Sequence, residues 1–70
     1  MSHLNRSPNI PDPDGFYEAL IQAQRDLSDA QADAFLAKLV LILANHVGDR
    51  AVLTEARELA RRNTLENPPQ

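Results

Sequence analysis

The run FLAKLVLILANHV, Phe35 to Val47, is apolar on nearly every side of any helix drawn through it. Projected at about 100° per residue, this stretch and the residues before it separate into three apolar seams. Phe35, Leu39, Ile42 and His46 form the first, and Leu36, Val40, Leu43 and Val47 the second. Ala30, Ala34, Ala37, Leu41 and Ala44 form the third. Only Gln31, Lys38 and Asn45 make a consistent polar stripe, so roughly four-fifths of the circumference calls for cover.

The rest of the chain is too small to supply that cover easily. A chain of 70 residues makes one domain, and at this size folding hides only about 60 % of the surface the unfolded chain exposes. There is no cysteine, so no disulfide supplements the core, and no Cys/His pattern suggests zinc. Oligomerisation is the remaining common remedy. Ten acidic residues against seven basic ones give a net charge of −3, which argues against a polyanionic partner such as nucleic acid. The apolar run is shorter than the roughly 20 residues of a membrane span. The first residues, MSHLNRSPNIPDPDG, lack the apolar segment of a signal peptide. A cytoplasmic protein with no membrane contact is expected.

Residues 1–11 read as an extended arm, because Pro8, Pro11 and the following Pro13 fix φ and push their predecessors away from the helical region. It is either a disordered tail or an arm whose Ile10 docks on a neighbouring subunit or partner. A domain is expected over residues 12–63. Asp12 can cap a first helix with Pro13 at its first position and acidic Asp14 in its first turn, and the pattern carries it to about residue 26. Phe16, Leu20, Ala23 and Leu27 share a stripe, with Tyr17 and Ile21 beside it. Ser28 and Gln31 have capping-box spacing, which starts a second helix over residues 29–47 with Leu27 as a staple. Gly48 suits a left-handed end, and Asp49 caps a third helix over about residues 50–62. Pro68 and Pro69 suggest that residues 64–70 form a flexible tail. Short turns favour antiparallel neighbours, so the expected fold is all-α, a three-helix up-down-up bundle.

The first and third helices can each cover about one seam of the second, since a packed stripe is about 100° wide. A seam is left over, and leaving it wet forgoes several kcal/mol at about 25 cal/mol per Å². A second copy of the chain is the simplest cover, because closed two-fold dimers are the commonest oligomers. A six-helix homodimer follows. Its expected crossing is the alanine seam of Ala30, Ala34, Ala37, Leu41 and Ala44, where small side chains let backbones approach.

Little in the chain points to catalysis. His46 lies in the last turn of the second helix, where a helix end stabilises it without any further role. As a pocket residue it would need a second fixed group, and none is evident. The sequence DPDG, Asp12 to Gly15, resembles a calcium loop only locally, because Ile10 and Ile21 would have to be ligands. Arg50, Arg57 and Arg61 line one edge of the third helix with Thr54, as in a DNA recognition helix. Glu55 and Glu58 interrupt that basic surface, and Glu58 is spaced to support Arg62. The charge is uneven along the chain: residues 1–33 carry two basic and six acidic groups, −4, and residues 34–70 carry five and four, +1. That asymmetry can orient a partner or a second copy. With no phosphate loop and no paired catalytic groups, an enzyme is not expected, and no cofactor or metal is implied.

PNIPDPDGFYEAL, the Leu27-Ser28 helix start, and LILANHVGD followed by VLTEA resemble a family of small bacterial proteins catalogued as a domain of unknown function. The resemblance spans about Asn9 to Ala60. It implies a stand-alone bacterial protein and carries no activity or site. The expected function is therefore that of a small accessory or regulatory protein that binds itself and another protein. A nucleic-acid-binding regulator using Arg50, Arg57 and Arg61 is the alternative.

Overall fold

The computed structural model describes residues 3–67. The chain is all-α, with no strand among those residues: α1 spans Pro13–Gln22, α2 Asp29–Val47 and α3 Arg50–Glu66. Each helix begins on a side-chain oxygen that satisfies otherwise orphaned N–H groups. Asp12 adopts φ 51° and accepts from the Gly15 N–H at 3.2 Å, with Pro13 at the start of the helix. Gly15 is needed for that cap, since a Cβ there would run into the Asp12 carboxylate. Ser28 and Gln31 form the full capping box. The Gln31 N–H donates to Ser28 Oγ at 3.1 Å, and the Ser28 N–H donates to Gln31 Oε1 at 2.9 Å. Asp49 accepts from the N–H groups of Ala51 and Val52 at 3.0 and 3.2 Å. Gly48, at φ 69°, closes α2 by donating to the Ala44 carbonyl at 2.9 Å.

Two boundaries differ from expectation. α1 stops at Gln22, short of residue 26, and the chain tightens into turns that bond three residues back, Gln24 N to Ile21 O and Arg25 N to Gln22 O, both at 3.1 Å. The Gln24 side chain takes the Leu20 carbonyl at 3.2 Å, and Asp26 then turns left-handed at φ 66°. Asp tolerates that region better than most residues, and the reversal lets Leu27 and Ser28 lead into the next capping box. α3 runs on past residue 62 to Glu66, so residues 64–66 are helical. Thr64 Oγ1 donates to the Ala60 carbonyl at 2.8 Å, and the Asn67 N–H donates to the Asn63 carbonyl at 2.9 Å. Proline excludes only its predecessor from the helical region, and that predecessor is Asn67, at φ −131°, ψ 70°. The rest of the expected tail, residues 68–70, lies outside the described residues.

These helices do not close on one another. No two share an extended contact, and among the described residues none is fully buried. The closed core of an up-down-up bundle is therefore not formed within the single chain. Its radius of gyration is 13.7 Å, where a compact domain of this length has about 11 Å. It exposes 6407 Å², where a compact monomer of 7.8 kDa exposes about 4,400 Å².

Candidate interaction surface

α2 is the apolar centre of the molecule and is largely bare. Ala32, Phe35 and Leu39, on its first seam and its flank, are half-buried, so the chain partly covers that side. The other large side chains stand open: Leu36 is 37 % exposed, Leu43 and Val47 48 %, Val40 62 %, Ile42 66 % and Leu41 70 %. The alanine seam is open as well except at Ala44, which is half-buried. Two of the three seams thus face outward, and α1 adds Phe16, Tyr17 and Ile21 to the exposed apolar surface.

α3 is organised differently. Its apolar residues Val52, Ala56 and Leu59 lie on one side and are half-buried. The N-terminal arm crosses the helix there: Leu4 is half-buried, and grooves on either side of it are lined by Leu59 with Ala56 and Thr54. Glu55 pins the arm. One carboxylate oxygen accepts from the Leu4 N–H at 2.8 Å, and the other lies 3.1 Å from His3 Nδ1. The Leu4 N–H first, then the His3 ring, holds the Glu55 carboxyl below its usual range. Leu4 is the residue through which the arm meets its own chain, and Ile10 remains 57 % exposed.

Residues 4–62 match the family described as protein of unknown function (DUF2783). The chain belongs to the DUF2783 family. That span contains all of α1 and α2, most of α3 and the arm from Leu4 onward, so the Leu4–Glu55 contact and the bare α2 both lie within the family region, with His3 just outside it. No curated protein and no solved structure matches the chain.

The other candidate residues of this DUF2783 protein lie apart. His46 is exposed in the last turn of α2, while the Asp49 carboxylate is engaged with the first turn of α3. No group of three or more His, Asp or Glu side chains among the described residues is arranged to hold a metal ion. Asp12 caps α1. Arg50, Arg57 and Arg61 are all exposed on α3, but Arg57 pairs with Glu58 at 3.0 Å, so Glu58 supports its immediate neighbour and the expected Arg62 pairing is replaced. The Glu55 anchor escaped sequence reasoning because its partners, His3 and Leu4, lie about fifty residues away. At 19 residues with mean hydropathy 1.2, α2 as a whole is long and apolar enough to cross a membrane by length and composition, unlike the shorter run judged from sequence.

Proposed function

We propose that the protein is a small homodimeric interaction module: two copies bury their α2 helices together and present the remaining faces to a different protein, as an accessory or regulatory subunit does. The observation that carries this reading is the bare apolar surface of α2. The chain's excess over a compact monomer, roughly 2,000 Å², matches one subunit's share of a permanent dimer interface, about 1,000–2,500 Å². On this reading the up-down-up packing completes itself in a six-helix dimer, with the alanine seam and the Leu36 seam both available as crossings. The module has no catalytic role of its own and resides in the cytoplasm.

A membrane-spanning α2 is the less favourable use of the same surface. Lys38 sits at mid-helix with Gln31 and Asn45 a heptad to either side, and a lysine at the bilayer centre costs about 2.5–3.5 kcal/mol even on the mildest scale. Nucleic acid is a poorer partner than protein, because the arginine edge is interrupted by Glu58 and engaged at Arg57.

Thermal unfolding across a protein dilution series tests the proposal. For a dimer whose fold depends on association, Tm rises with concentration. A Tm independent of concentration over the series, with unfolding fully reversible and the protein monomeric, refutes it.

A further inference from the structure

Resting on the dimer reading, we infer that the two α2 helices pair antiparallel through Leu36, Val40, Leu43 and Val47. These residues recur at alternating spacings of four and three, with valine and leucine in turn, the pattern of a two-stranded helical seam. At about 100° per residue they fall within one narrow wedge, diametrically opposite the Gln31–Lys38–Asn45 stripe. All four are exposed. The wedge is flanked by the Phe35 and Leu39 side on one hand and by the alanines on the other, so it lies at the middle of the apolar surface. An interface is most apolar at its centre and polar at its rim. The alanine seam, by contrast, borders the polar stripe directly and offers less apolar area.

Charge decides the direction. The same spacing continued towards the start of α2 reaches Asp33 and then Asp29. A parallel pair would set each aspartate against its own copy, and like charges across a helix pair are unfavourable. Antiparallel pairing in register sets Leu36 opposite the partner's Val47 and Val40 opposite the partner's Leu43. One step further out, Asp33 lies beside the C-terminal end of the partner's α2, where Gly48 and Asp49 turn the chain into the first residue of α3, Arg50. Asp33 and Arg50 are both exposed and make no ion pair within the chain among the described residues. The opposite charge of the two halves of the sequence, −4 and +1, follows the same head-to-tail order.

The chain has no cysteine, so single substitutions report neighbours without background. Leu36→Cys and Val47→Cys, each alone, together in one chain, and mixed as separate chains, are treated with a short bis-maleimide, and molar mass is read beforehand. The expected result is that most of the double variant runs at twice its mass and the mixture yields the mixed pair, while Leu36→Cys alone stays largely uncoupled. Efficient self-coupling of Leu36→Cys overturns the antiparallel direction. Self-coupling of Leu41→Cys, with none between positions 36 and 47, overturns the seam in favour of the alanines. A dimeric wild type together with cysteine variants that couple at none of these positions overturns the seam and leaves the dimer standing, whereas a wild-type monomer overturns the dimer itself. As an independent check, Asp33→Arg and Arg50→Asp each weaken association and together restore it; failure of the pair to restore what each loses contradicts the Asp33–Arg50 contact.

Discussion

α2 and α3 are helices of similar length in the same small chain, yet one is provided for and the other is not. α3 carries an apolar stripe that includes Ala56 and Leu59, and the arm reaches back to it through Leu4. α2 has three seams, and the chain covers part of the first and only Ala44 of the third. A helix that carries one apolar stripe can be satisfied by its own chain, because one neighbour about 8–10 Å away suffices. A helix that is apolar on most of its circumference needs several neighbours, which 70 residues do not provide. The contrast places most of the uncovered apolar surface of the described residues on α2.

A charge on the open seam is the strongest way to break the contrast. Val40→Asp places a carboxylate in each half of the dimer seam, and at roughly 1–3 kcal/mol for each buried polar group the dimer dissociation constant rises at least about 30-fold. Aspartate in place of Asn45, on the polar stripe, leaves it close to wild type. Sedimentation equilibrium of the two variants side by side measures the difference.

The next effects are local and should touch both helices alike. Gly48→Ala forces a Cβ into the left-handed region at φ 69°, costing about 1–2 kcal/mol; each kcal/mol lowers Tm by roughly 4–8 °C in a domain of this size. Ser28→Ala removes one arm of the capping box and costs about 1 kcal/mol, read as a smaller fall in Tm by circular dichroism.

Those local devices are also what the sequence made legible. α2 begins and ends where it should because Ser28, Gln31, Gly48 and Asp49 act within a turn of themselves. The end of α1 was hidden because it depends on Asp26 turning left-handed and on Gln24 reaching the Leu20 carbonyl, neither of which periodicity records. The end of α3 was placed early because the influence of Pro68 reaches one residue back, to Asn67, and no further. The seams of α2 were readable as a pattern, since spacing alone defines a helical face. How much of each the chain would cover was not readable, because that depends on where α1, α3 and the arm lie in three dimensions.

The smallest effect sharpens the α3 side. Because Glu55 titrates below the usual carboxylate range in the folded chain, its hold on the arm is complete above that range, about pH 4.3 for glutamate, and is lost as the pH falls through the lowered value. Protection of the Leu4 amide, its exchange measured against an unstructured chain at the same pH, should therefore be present near neutral pH and vanish in acid, and Glu55→Ala should remove it at neutral pH with the molar mass unchanged. Unaltered Leu4 exchange in the variant would show that the arm lies on α3 without this anchor.

Molar mass by light scattering across a wide dilution series tests the central claim most directly. The account predicts twice the chain mass of 7.8 kDa over most of the series, giving way to the monomer only as the helical signal falls. A folded protein of 7.8 kDa at every concentration would contradict it.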